Sequence, residues 1–303
     1  MNTEQQPQTT STFTRHDLHQ QVTDTIIQQL EKGIVPWHKP WNTPEVGLRL
    51  PNNHTTGNYY RGVNILLLWT SVAKNEYATH KWGSFKQWNE KKESVRKGEK
   101  GTRIVYYDTM EKEIDGEIQK ISFLKSSVVF NRCQLTSFTS ADIKDAPQDD
   151  LVRRINKVDE FIANSQVEVD HHVGKACFTL SADKIFMPYP EFFIETPECT
   201  ATEGYYSTLL HETTHWTGGA KRLNRKFGQE FGDKDYATEE LIGELGAAFL
   251  CAEFDIAVLP KGDHANYIGY WLKVLKQNKH CIFTAASQAS KAVDFLHQLQ
   301  PNG

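Results

Sequence analysis

Residues 205–219 read Tyr-Tyr-Ser-Thr-Leu-Leu-His-Glu-Thr-Thr-His-Trp-Thr-Gly-Gly. His211 and His215 stand four apart, so on a helix they project from one face and can share a single cation. Glu212 follows the first histidine and sits beside that cation, placed to take a proton from a bound water rather than to ligate. The run Tyr205 to Leu210 leads a helix into the pair, and Gly218-Gly219 is read as its C-terminal stop. The pattern predicts a zinc-type hydrolytic site with Glu212 as its base. The plainer alternative is two surface histidines on an amphipathic helix.

A hydrolytic zinc site needs a third protein ligand and one open position, and the third usually arrives on a second helix. Residues 236–250, YATEELIGELGAAFL, offer it. Glu240 and Glu244 are four apart on an otherwise apolar helix, where carboxylates are costly to bury unless they meet a cation or a partner. Gly243, Gly246, Ala247 and Ala248 would let this helix approach the first one closely. The arrangement resembles the gluzincin metalloproteases, and by that resemblance Glu240 is the third ligand while Glu244 hydrogen-bonds and orients His211. Exchange of these two roles stays open. Glu239, one step around the helix, reads as solvated or as a pair for a basic side chain. His264, His280 and Tyr236 are candidate transition-state donors, although a structural role is commoner for such residues. The cofactor implied is one divalent metal ion, zinc first, with manganese or cobalt as alternatives.

Working outward, 303 residues are twice the usual size of a single core and favour two domains. With 39% hydrophobic and 24% charged residues, general disorder is not expected. The richest apolar run, Ile65 to Trp69, is far short of a membrane span, and the polar start lacks a secretory apolar region, so a cytoplasmic address without membrane association is expected. Five cysteines without a C-x-x-C pair indicate neither a disulfide framework nor a zinc knuckle and read as small buried hydrophobes. The net charge of −4 hides a split. Residues 1–145 hold 19 Lys+Arg against 16 Asp+Glu (+3), and residues 146–303 hold 15 against 22 (−7). Polyanion binding is therefore expected in the first half.

The periodicities predict an α+β protein of two domains. Residues 1–14 read as disordered, 15–140 as a mixed α/β domain, 141–150 as a linker, and 151–303 as the metal-binding domain. In the first domain, Leu18, Val22, Ile26 and Leu30 form a helical stripe closed by Gly33. A second helix covers Val63 to Lys74, Ser84 caps a third, and strands are expected over Thr102–Asp108 and Ile121–Leu135. In the second, a helix over Leu151–Asn164 precedes three short strands and then only helices.

Between Lys81 and Tyr107 basic and aromatic residues interleave, a combination that can track phosphates and stack on bases of a single strand. The candidates are Lys81, Trp82, Lys86, Trp88, Arg96, Lys97, Lys100 and Arg103, with Arg61 in a second such group beside Trp37, Trp41, Tyr59 and Tyr60. The alternative makes Trp82, Phe85 and Trp88 core residues and the lysines a solvated face.

The segments VTDTIIQQLEKGIVPWHKPWN, TTGNYYRGVNILLLW and WGSFKQWNEKKESVRKGEKGTRIVYY resemble the N-terminal domain of ArdC-type antirestriction proteins, shared with some conjugal primases. LLHETTHWTG, YATEELIGELGAAFLCAEF and YIGYWLKVLKQNKHCIFTAASQASKAVDFL are similar to the zincin-like metallopeptidase domain joined to it in that family. Asp108 to Lys120 departs from the family pattern and reads as an acidic insertion between strands. The resemblance implies an antirestriction protein that binds single-stranded DNA and protects incoming plasmid or mobile-element DNA. Its metal-dependent peptidase-like domain could act on a protein at the DNA. The rival is a DNA-binding shield whose metal centre is structural and catalytically inactive.

Overall fold

The computed structural model describes residues 17–38, 48–114, 117–139, 150–197, 199–228, 234–258 and 264–301. The disordered start expected over residues 1–14, Trp41, and the linker expected at 141–150 apart from Asp150 lie outside these residues. Helix α1 (Leu18–Glu31) starts where the Asp17 carboxylate accepts from the Gln20 amide, and Gly33 follows its end with a φ of +74°. Helix α2 (Val63–Asn75) is buried along most of its length. Helix α3 (Phe85–Glu90) has the expected Ser84 cap, reciprocated by Gln87.

Four strands form the first sheet: β1 (Asn52–Asn53), β2 (Lys81–Gly83), β3 (Thr102–Ile114) and β4 (Glu117–Asn131), in the order β1-β2-β4-β3. Only the β1–β2 pair is parallel. The stretch expected as an acidic insertion at 108–120 is instead part of the two strands up to Ile114 and from Glu117, with Thr102 facing Val129 and Ile114 facing Glu117. Their register sets Asp108 opposite Phe123 and Glu111 opposite Lys120, so residues of low strand propensity are held extended by the ladder.

The second half begins with α4 (Leu151–Ser165). A three-stranded sheet follows, made of β5 (Val169–His172), β6 (Cys177–Thr179) and β7 (Lys184–Pro188) in the order β5-β7-β6. Four helices complete it: α5 (Ala201–Trp216), α6 (Lys234–Phe254), α7 (His264–Gln277) and α8 (Cys281–Gln298). Strand β6 lies at the edge of its sheet.

The two halves share a hydrophobic core. One apolar cluster joins Ile26, Trp37, Leu66, Trp69 and Trp82 of the first half to Leu241, Leu245, Phe249, Trp271 and Ile282 of the second. Helix α6 also supplies Ala247, Leu250 and Cys251 to a second cluster with Phe161, Ile185 and Leu210. It is buried on several faces, as a central helix must be. Four of the five cysteines are buried, and Cys177 on β6 is exposed. Among the described residues no helix is long and apolar enough to cross a membrane.

Candidate metal centre

Helix α5 is started by Thr200, whose hydroxyl accepts from the Glu203 amide while the Glu203 carboxylate answers the cap. It buries His211, Glu212 and His215, each less than a tenth exposed. The two imidazoles turn their Nε2 atoms toward each other at 2.9 Å. Glu240 on α6 brings its carboxylate oxygens within 3.9 Å of His211 Nε2 and 3.6 Å of His215 Nε2. One donor atom from each of the three lies within 4.8 Å of the others. The helix ends at Trp216 with Thr217 as its cap, just before Gly218-Gly219, and neither glycine is left-handed. Their role is steric: a Cβ at Gly218 would lie 2.7 Å from Phe227 Cζ and 2.8 Å from Arg225 Nη2.

Close approach of α5 and α6 depends on glycine. A Cβ at Gly243 would stand 2.6 Å from His215 Nε2 and 2.7 Å from His211 Cε1, and one at Gly246 would meet the Thr214 side chain. Two imidazole nitrogens and a carboxylate converging at such a point fit a divalent cation, with the space against Gly243 kept open for the rings.

Glu239 is, of its two expected readings, the pair for a basic side chain, Arg225, and is not solvated. It is 4% exposed, accepts from His215 Nδ1 at 2.9 Å, and takes a two-pronged bond from Arg225 at 2.7 and 2.9 Å. It therefore fixes the ring of His215, a role the sequence reading missed. Burial alone would disfavour the His215 imidazolium, yet the bond to Glu239 and the charges of Glu240, Glu239 and Glu212 raise its pKa above the ordinary histidine value. Burial also opposes an ionised Glu239, but the bonds from His215 and Arg225 outweigh it and hold the carboxyl below its ordinary range.

Glu244 lies 3.9 Å from His211 Nδ1 and is bonded at 3.2 Å by His38 Nε2, which comes from the first half of the chain. Trp37, fully buried edge-on against Trp271 at 5.2 Å, anchors the turn that carries His38. A residue 206 positions away thus steadies the carboxylate beside a candidate ligand. His38→Ala is expected to weaken Mn(II) affinity by up to about tenfold, less than the 10- to 100-fold expected of Glu244→Ala. His38→Gln, whose amide can still donate, should retain most of it. Calorimetric titration of the full chain checks this, and unchanged affinity in His38→Ala would remove His38 from the site.

The Glu212 carboxylate accepts from the backbone amide of Phe178 on β6 at 2.8 Å, which fixes it between helix and edge strand. Of the candidate donors, the side chain of His264 lies outside the described residues. Tyr236 stands one turn before Glu240 on α6. His280 packs against His19, with ring centroids 4.4 Å apart, and lines a groove with Tyr106 and Tyr107 rather than the metal cluster.

The nucleic-acid candidates divide sharply. Trp82 and Trp88 are fully buried, so neither ring is available for stacking on a base. Trp88 donates through Nε1 to Phe130 O at 3.0 Å and stacks on His54. Arg61 pairs with Asp294, Lys86 with Glu90, and Arg96 with Glu99 while also bonding the carbonyls of Leu135 and Cys133. Lys81 is half-buried on β2. Lys97, Lys100 and Arg103 are exposed.

Comparison with known proteins follows the same division. Residues 16–130 match the N-terminal domain of anti-restriction factor ArdC, and residues 156–288 match a zincin-like metallopeptidase family. An uncharacterized protein, y4eC, of Sinorhizobium fredii is 32% identical over 309 residues, covering 99% of this chain and 96% of that protein. DNA primase TraC of Escherichia coli is 31% identical over 92% of this chain, which spans only 20% of that longer protein. The metal-free crystal structure of antirestriction ArdC from the R388 plasmid superposes with a TM-score of 0.77 at 35% identity, covering 94% of this chain and 98% of that one. Its Mn(II)-bound form gives 0.74 at 34% identity, with 94% and 99% covered, and supports a divalent metal in this fold. With that identity over nearly its whole length, the chain belongs to the ArdC antirestriction family, joining an ArdC N-terminal domain to a zincin-like metallopeptidase domain.

Proposed function

We propose that the protein binds single-stranded DNA and protects incoming plasmid or mobile-element DNA from host restriction in the cytoplasm. Its metal centre, held by His211, His215 and Glu240, would take zinc, with manganese or cobalt as alternatives. The observation that carries the catalytic part is the convergence of these three donors beside Glu212. A divalent ion there supplies Lewis acidity that lowers the pKa of a bound water. Glu212, its Oε2 fixed by the Phe178 amide, accepts the proton of that water at its carboxylate. Glu239 holds the imidazole of His215 by its bond at Nδ1, and Glu244 stands 3.9 Å from Nδ1 of His211, so each ring is left with Nε2 as the donor atom. The chemistry fits attack on a peptide carbonyl, with a protein at the DNA as substrate.

The test is restriction protection of single-stranded and double-stranded DNA by wild type and Glu212→Ala side by side. The variant should keep its metal and its DNA binding and lose protection. Equal protection by both would assign the metal a structural role and leave the protein a DNA-binding shield.

A further inference from the structure

We propose that the cleft between α1, α2 and the start of β3 holds the phosphodiester backbone of a single nucleic-acid strand. The proposal rests on the single-strand reading above and adds its location. The cleft has a volume of about 510 Å³ and presents Lys74, Lys100 and Arg103 together with Thr70, Ser71 and Thr102, and among the described residues no carboxylate lines it. Among the described residues none of these three cations is in an ion pair, whereas Arg61, Lys86, Arg96, Lys125 and Arg132 each are. Three uncompensated cations in one concavity focus positive potential. The Arg103 guanidinium is oriented by a 2.6 Å bond to Gln21, and Ser71 bonds Thr102 at 2.6 Å. Thr70, 7% exposed, adds a hydroxyl with no partner among the described residues. Ammonium, guanidinium and hydroxyl donors are the groups that hold phosphate oxygens.

Strand β3 continues from this cleft into a second groove of about 620 Å³, where Tyr106 and Tyr107 are 47% and 61% exposed and Asn64 and Gln288 line the walls. Arg103 and Tyr107 are four residues apart on β3, so they share a face about 13 Å apart, and both meet α1, through Gln21 and His19. A free phosphate would use the first cleft alone. A strand uses both, its backbone on the cations and its bases on the tyrosine faces, which is how single strands are bound without sequence preference.

The experiment uses the full chain, a fluorescein-labelled oligothymidylate and anisotropy across a salt series. Lys74→Gln/Lys100→Gln/Arg103→Gln should weaken binding at least tenfold and flatten the log–log salt slope by about 2, near 0.7 for each lost contact. Lys91→Gln/Lys92→Gln, just beyond α3, should change the slope by less than one contact. Tyr107→Ala should lower affinity about tenfold at every salt concentration without changing the slope. Melting curves confirm folding, and Lys100→Gln or Arg103→Gln alone, both on exposed side chains, carry the same test if the triple variant is unstable. If wild type binds and the cleft variants match it in affinity and slope, the location is overturned while the single-strand reading stands. If wild type does not bind the oligonucleotide, both fall. If inorganic phosphate displaces the probe as well as unlabelled strand at equal phosphate concentration, the cleft is a simple anion site and the strand proposal is overturned.

Discussion

Glu239→Ala is expected to destabilise the fold by about 3 to 5 kcal/mol, because it leaves a buried guanidinium without its carboxylate. Arg225 and Glu239 are each 5% exposed at their side chains, and the pair is bidentate. The same change frees the ring of His215, so divalent-metal affinity should fall by about 10- to 100-fold. The sign of the pH dependence is fixed by the direction of the shift. The folded carboxyl lies below its ordinary value of 4.5, so its contribution is fully present above that pH and is lost as pH falls through the folded pKa. The stability gap between wild type and variant should therefore be widest near neutrality and close in acid. Urea unfolding at several pH values, with a Mn(II) titration at neutral pH, measures both effects. A variant as stable as wild type at neutral pH would show that Arg225 finds another partner.

Trp88→Ala is expected to cost about 3 to 5 kcal/mol, as large-to-small changes in a packed core do. The ring is fully buried, bonded to Phe130 O, stacked on His54, and so close to Gly83 that a Cβ there would lie 2.9 Å from it. The folded fraction of the variant should keep the wild-type salt slope for DNA. A variant of unchanged stability but weakened DNA binding would contradict the burial and restore the stacking role.

The metal helices were legible in the sequence because paired histidines at helical spacing can share one cation, and carboxylates on an apolar helix must meet a cation or a partner when buried. The caps of α1 and α3 and the span of α2 were readable for a similar reason, since Asp17, Ser84 and the apolar stripes act locally. What stayed hidden depends on distant residues. Arg225 turns Glu239 from a surface carboxylate into a ring-orienting one, and His38 reaches Glu244 from the other half of the chain. Trp88 looks the same in sequence whether it faces a base or Phe130, because basic neighbours surround it in either case. The shared core was hidden by the breaker-rich text after Thr139, which suggests two separate bodies. Apolar residues of α6 such as Leu245 and Leu250 do not declare which half they will pack against. Residues 108–120 read as an insertion because strand pairing across the ladder, not local propensity, makes them strand.

The central claim is that His211, His215 and Glu240 hold one divalent metal, and metal content of the purified full chain tests it most directly. Elemental analysis after exposure to Zn(II) or Mn(II) and gel filtration should give about one equivalent in wild type. The His211→Ala/His215→Ala protein should hold none, and Glu240→Ala should retain a small fraction. Full occupancy in the double-histidine variant, with its fold intact, would contradict the account.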